Sequence, residues 1–160
     1  MELVGRAMNI WGAEPASLVF EVTESAMMSD PHAALHTLSA LHEMGIMLSI
    51  DDFGTGYSSL AYLRNLPVGE LKIDKSFVLH MAEDQQDRKI VQSIIDLAHK
   101  LEMSVVAEGI ENQQTLDMLI DMGCDCGRGF YIGRPMPIAD MPSWVEGGNW
   151  CKSGVIDSNY

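Results

Sequence analysis

Strand-like and helix-like segments alternate along the whole of this 160-residue chain, and that alternation constrains the fold more than any single motif. Two parallel strands cannot be joined by a tight turn; they need a crossover, most often a helix. The alternating order therefore predicts α/β architecture, with about five strand–helix units building one parallel sheet. Strands are expected at Leu18–Val22, Ile46–Ile50, Glu70–Ile73, Ser104–Ala107 and Gly129–Ile132, all short apolar or β-branched runs bounded by turn residues. Helices are expected over residues 2–13, ending near Gly12, and from the Asp30-Pro31 cap through Leu35, Leu38, Leu41 and Met44 to Gly45. Three more are expected at Ser58–Leu66, along Ile90, Ile94, Leu97, Ala98 and Leu101, and from Asn112 to the stop at Gly123. A terminal helix over 138–146 precedes a tail, 147–160, that has no periodicity and is expected to be loosely ordered.

The charge narrows the class of partner. Lys and Arg number 10 against 23 Asp and Glu, a formal net charge of −13, which argues against a nucleic-acid duplex bound on a basic face. An anionic ligand would need metal ions or a local cation to be held. No apolar run approaches the ~18 residues of a membrane span. The opening MELVGRAMNI lacks the basic start and cleavage site of a signal peptide. Three cysteines, Cys124, Cys126 and Cys151, are too few for a disulfide scaffold, so the expected compartment is a reducing cytoplasm.

The informative feature is where the carboxylates fall. Glu21 and Glu24 lie at the end of the first expected strand, Asp51 and Asp52 directly after the second, Asp74 after the third, and Glu108 and Glu111 after the fourth. Ligands of parallel α/β folds gather at the carboxyl ends of strands, so these side chains are placed to converge. Each one alone is more simply a helix cap or a solvated charge. Repeated after four strands, the placement points to an oxygen-rich site for Mg²⁺ or Mn²⁺, with adjacent Asp51 and Asp52 suited to two metals. Lys72 sits two residues before Asp74 on a strand and shares its face. A lysine between Leu71 and Ile73 needs a charged partner. It is either one half of a structural ion pair or a cation that orients water or binds a phosphate oxygen.

The loop after Asp52 carries Gly54 and Gly56, followed by Tyr57 and Ser58. Those glycines permit positive φ and a close approach to ligand. Asp52-Phe53-Gly54 also occurs in protein kinases, but no glycine-rich nucleotide loop or His-Arg-Asp accompanies it. His32 and His36, four apart with no third ligand, and Cys124-x-Cys126, with no second pair, are weak metal candidates.

Five segments together resemble the EAL-domain family: Phe-Glu-Val-Thr-Glu-Ser (20–25), Asp-Asp-Phe-Gly-Thr-Gly-Tyr-Ser-Ser-Leu (51–60), Leu-Lys-Ile-Asp (71–74), Ala-Glu-Gly-Ile-Glu (107–111) and Gly-Phe-Tyr-Ile-Gly-Arg-Pro-Met-Pro (129–137). The resemblance covers roughly residues 1–146 and implies a modified TIM barrel that linearises cyclic di-GMP to pGpG with Mg²⁺ or Mn²⁺. It implies Glu21 and Asp51 as ligands of one metal, and Asp51, Asp52 and Glu108 as ligands of the other. Lys72 matches the lysine that assists the attacking water, and Asp74 and Glu111 match supporting acids. Glu24 matches the glutamate that steadies the loop of Gly54, Gly56, Tyr57 and Ser58, a loop tied in the family to regulation.

Two departures accompany the resemblance. Arg128 stands where the family usually has glutamine, and is expected to contact a phosphate or to disturb a water at the substrate. The chain also contains no Glu-Ala-Leu. A TIM barrel takes ~250 residues, so these motifs are expected to form its later part. The expected consequences are reduced turnover by the chain alone and exposed sheet edges that a second copy or an N-terminal segment must cover; the alternative reading is a non-catalytic cyclic di-GMP-binding or protein-interaction module.

Overall fold

A computed structural model of the chain describes residues 2–56 and 59–147. In chain order the elements are α1 (Glu2–Trp11), β1 (Val19–Thr23), α2 (Glu24–Ser29), α3 (Pro31–Glu43), β2 (Met47–Phe53), α4 (Leu60–Leu63) and β3 (Glu70–Ile73). There follow α5 (Lys75–His80), α6 (Gln85–Lys100), β4 (Ser104–Glu108), α7 (Gln113–Asp121), β5 (Cys126–Arg128) and α8 (Met141–Gly147). The five strands form one sheet in sequence order, every neighbouring pair parallel, as the alternation predicts.

Local chemistry sets the helix limits. Asp30 Oδ1 accepts from Ala33 N at 3.0 Å with Pro31 at the first helical position, so α3 begins at the expected cap. Asn112 Oδ1 accepts from Thr115 N at 2.8 Å at the start of α7. Gly45 and Gly123, both at positive φ (82° and 77°), follow the ends of α3 and α7, where a side chain would be strained.

Strand alternation then divides the sheet into two faces. Leu48 and Ile50, Leu71 and Ile73, and Val105 and Ala107 are buried on one face, in a core completed by Leu38, Leu41, Val78, Val91, Ile95 and Ala98 from the helices. The intervening residues, among them Ser49, Lys72 and Glu108, lie on the opposite face. That face is polar along most of its length, and it carries the site. On α1, by contrast, Leu3 and Trp11 are 80% and 83% exposed.

The structure corrects several sequence expectations. The last strand is Cys126–Arg128, not Gly129–Ile132, which instead turns back, with Ile132 N donating to Gly129 O at 3.1 Å. Backbone bonds explain the shift: Ile110 N donates to Arg128 O and Tyr131 N to Ile110 O, so Ile110 ends the pairing where β propensity favours continuing it. Helices α2 and α5 were not expected, being six residues each and too short to show a period. Their caps are visible only in space. Thr23 Oγ1 accepts from Ala26 N, and the Asp74 carboxylate accepts from Ser76 N. The helix expected at Ser58–Leu66 is confined to Leu60–Leu63. Tyr57, Ser58 and most of the 147–160 tail lie outside the described residues.

Candidate functional site

Register alone brings the polar residues together. Glu21 on β1 pairs with Ser49 on β2, Lys72 on β3 with Val106 on β4, and Glu108 on β4 with Arg128 on β5. Two-residue periodicity then places Glu21, Asp51, Lys72, Glu108 and Arg128 on one face, toward the carboxyl ends of the strands.

Lys72 is the centre of the group. Its residue is 3% exposed, and its Nζ lies 3.0 Å from Glu21 Oε1, 2.9 Å from Asp51 Oδ1 and 2.8 Å from Glu108 Oε1. An ammonium has three protons, and three carboxylates meet them. Burial pulls the lysine pKa down, but hydrogen bonds to Glu108, Asp51 and Glu21 outweigh that and carry it above its ordinary value. Lys72 therefore stays protonated at neutral pH and acts as a donor, not as a base.

Asp52 occupies a bulge. The β2–β3 register shifts between Ile50 and Phe53, and Asp52 adopts φ 55°, a left-handed conformation that costs a non-glycine residue energy. Burial, then the charges of Asp51, Asp74 and Glu108, push its carboxyl above the usual range. Asp74 moves the other way: burial raises it, but hydrogen bonds from the Ser76 hydroxyl and amide bring it below its ordinary value. The signs oppose each other in stability. Asp74 ionisation favours the fold above its usual titration range and loses that contribution in acid, whereas Asp52 ionisation opposes the fold above the same range.

Glu24, 2% exposed at the start of α2, fixes the loop after β2. Its Oε2 accepts from Gly54 N and from Gly56 N, each at 3.0 Å. A Cβ at Gly56 would lie 2.9 Å from the Glu24 carboxyl carbon, so a side chain there would push the carboxylate away from the amides it holds. Glu24→Ala removes a charged acceptor from two amides and is expected to cost about 2 kcal/mol in urea unfolding, with faster exchange of the Gly54 and Gly56 amides. Glu24→Gln, which keeps one carbonyl oxygen, is expected to cost about half of that.

Other expected site residues fall at the rim. Glu111 is exposed and makes no ion pair with Lys72; it borders a cleft with Lys75, Glu108, Arg128 and Phe130. Arg128 Nη1 lies 3.6 Å from Glu21 Oε1 and 3.8 Å from Glu108 Oε1. Sequence reasoning missed Phe130, which is exposed beside the cleft and carries the Arg134 guanidinium 4.6 Å from its ring centroid. Its aromatic-rich run had read as a strand instead. His32 and His36 are exposed on α3, and burial pushes the Cys124 thiol up to about 11, leaving it protonated at neutral pH.

Whether this set suits a divalent cation is decided by its donors. Among the described residues, no three His, Cys, Asp or Glu side chains stand posed around a metal position, because the carboxylates turn to Lys72. The donor chemistry does fit. Glu21, Asp51, Asp52 and Glu108 supply hard oxygens, three of them already directed at one cation, and Asp52 is raised first by burial and then by negative neighbours whose charge a cation would neutralise.

Comparison with known proteins identifies the family and the fold. The EAL domain family pattern matches residues 2–135. The bifunctional diguanylate cyclase/cyclic di-GMP phosphodiesterase MucR of Pseudomonas aeruginosa is 49% identical over 141 residues, which cover 88% of this chain and 21% of MucR. The structure of the P. aeruginosa MucR phosphodiesterase in complex with c-di-GMP superposes with a TM-score of 0.83 at 46% identity, covering 86% of this chain and 56% of that one. BlrP1 of Klebsiella pneumoniae, in a manganese and cyclic di-GMP complex, gives a TM-score of 0.77 at 31% identity over 84% of this chain and 35% of that one. The chain thus spans about a fifth of the curated MucR sequence and just over half of its phosphodiesterase structure. On its motifs, its sheet and these matches, the chain belongs to the EAL domain family.

Proposed function

We propose that this chain carries the later strands of a cyclic di-GMP phosphodiesterase domain, which hydrolyses cyclic di-GMP to the linear dinucleotide pGpG. The observation that carries the reading is the convergence of Glu21, Asp51 and Glu108 on the buried Lys72 ammonium, each within 3.0 Å, at the carboxyl end of a parallel sheet. The complexes of MucR with c-di-GMP and of BlrP1 with manganese and cyclic di-GMP support this substrate class and a divalent metal.

In this reading Glu21 and Asp51 would hold one divalent cation, and Asp51, Asp52 and Glu108 would hold another, Mg²⁺ or Mn²⁺. Bound there, such ions supply Lewis acidity, lowering the pKa of a water and neutralising the phosphodiester. The chain's own groups do the rest. Lys72 is held protonated, and once a cation takes over carboxylate oxygens that its protons now meet, it can donate toward the attacking water and oppose negative charge as it develops. Asp74 anchors the start of α5 and steadies Asp52, while Glu24 holds the glycine loop behind both. Arg128 and Glu111 border the cleft where the nucleotide enters. The exposed apolar side of α1 supports its coverage by a second copy or by further strands of a longer protein.

The test is incubation with cyclic di-GMP and Mn²⁺, with pGpG followed chromatographically. Mn²⁺-dependent product that disappears in Lys72→Met is expected. Product that survives in Lys72→Met would refute the role given to the lysine. Absence of both turnover and ligand binding would refute the reading.

A further inference from the structure

Among the described residues, two side-chain cations lie against these carboxylates, and they differ in kind. Lys72 is buried and its three protons are committed to three separate carboxylates. Arg128 is on the edge strand β5, its side chain 56% exposed, and its Nη1 approaches two of the same oxygens that Lys72 holds: Glu21 Oε1 at 3.6 Å and Glu108 Oε1 at 3.8 Å. Those distances are longer than a good charged hydrogen bond, so the guanidinium sits over the pair by charge attraction rather than by a locked fork.

We propose that Arg128 is an internal counter-cation, which a divalent metal ion must displace to bind Glu21 and Glu108, so that this residue sets how much free metal the site requires. The inference rests on the reading of those carboxylates as metal-binding. A divalent ion needs the oxygens facing Arg128, and a guanidinium left there would repel it. Arginine cannot relieve that repulsion by losing its proton at any physiological pH; it has to move. Room for the movement is present. A cleft of about 360 Å³ borders Arg128 and is lined by Lys75, Leu79, Glu111 and Phe130 as well as Glu108. The Glu111 carboxylate there offers the displaced guanidinium a second acceptor. Lys72, with no comparable exposure, stays in place.

The experiment is calorimetric titration of the metal-free chain with MnCl₂ at ~0.15 M salt, where charges beyond ~8 Å are largely screened. Arg128→Gln is expected to bind Mn²⁺ about three- to tenfold more tightly than the unaltered chain, the range for removing one partly exposed charge beside a divalent ion. Arg128→Lys, which keeps a charge, is expected to stay closer to the unaltered chain. Arg6→Gln, the same loss of net charge on exposed α1, is expected to change affinity less than twofold. Equal or weaker Mn²⁺ binding by Arg128→Gln, with clear binding by the unaltered chain, would overturn the displacement role and leave the metal site standing. Tightening by Arg6→Gln equal to that by Arg128→Gln would reduce the effect to net charge and overturn it as well. No Mn²⁺ binding by any of the four proteins would overturn the metal site and the displacement role together.

Discussion

Lys72→Met is expected to lower the rate of cyclic di-GMP hydrolysis by about 10²–10³-fold, the usual cost of losing one preorganised donor at developing charge. The same substitution acts on stability through a separate route. Without the ammonium, Glu21, Asp51 and Glu108 keep oxygens that had converged within 3.0 Å of one point, and among the described residues Arg128 is the cation left near two of them. Removing one partner from a fully buried ion pair costs ~3–5 kcal/mol. Glu21 and Glu108 retain contact with water, so about 2–3 kcal/mol in the metal-free state is the expected loss. Divalent metal should restore part of it by neutralising the same carboxylates, so Mn²⁺ should raise the melting temperature of Lys72→Met more than that of the unaltered chain. Equal metal responses would mean that the lysine and the metal do not share ligands.

Gly129→Ala is expected to be the most damaging single methyl group in the fold. The φ of Gly129 is unremarkable, and the constraint is steric. A Cβ at this position would lie 2.1 Å from Ile110 O, 2.3 Å from Ile110 N and 2.6 Å from Ile110 C, all backbone atoms that cannot rotate away. Relief requires β5 to separate from the residues after β4, breaking the Ile110 N to Arg128 O and Tyr131 N to Ile110 O bonds at 3.1 Å and 3.0 Å. Overpacking of ~1–3 kcal/mol and two lost bonds of ~1 kcal/mol each give a loss of about 3–5 kcal/mol, measurable by denaturant unfolding. A large share of a small domain's stability is at stake. Arg128, one residue earlier, would shift with the strand and leave Glu21 and Glu108. A loss below about 1 kcal/mol would show that β5 is not held against Ile110 in this way.

Much of this was legible in the sequence. Apolar runs separated by helical periods specify the parallel sheet, and acidic residues at the ends of those runs specify where polar groups meet. Lys72 between two apolar residues demanded charged partners, and the register supplies three. What the sequence hid depends on contacts between distant segments. Cys126-Gly127-Arg128 contains no β-branched residue, yet it becomes the last strand because its glycine accommodates Ile110; a Cβ at Gly127 would lie 2.6 Å from Ile110 Cδ1. Phe130, Tyr131 and Ile132 had the better strand propensity and form a turn, an instance of tertiary packing overriding local preference. The left-handed Asp52 was equally unreadable, because its bulge arises from the β2–β3 register. The double approach of Arg128 to Glu21 and Glu108 joins the two outer strands of the site, and no spacing in the chain encodes it.

The account stands on one claim: that the carboxylates gathered around Lys72 take a divalent cation. The most direct measurement is an electron paramagnetic resonance titration, in which free Mn²⁺ gives a sharp six-line signal that binding suppresses. The unaltered chain should suppress the signal at added metal below or equal to protein, and Asp51→Asn, which removes the one ligand proposed to serve both ions, should abolish that suppression while remaining folded by circular dichroism. Equal suppression by the folded Asp51→Asn protein would contradict the claim.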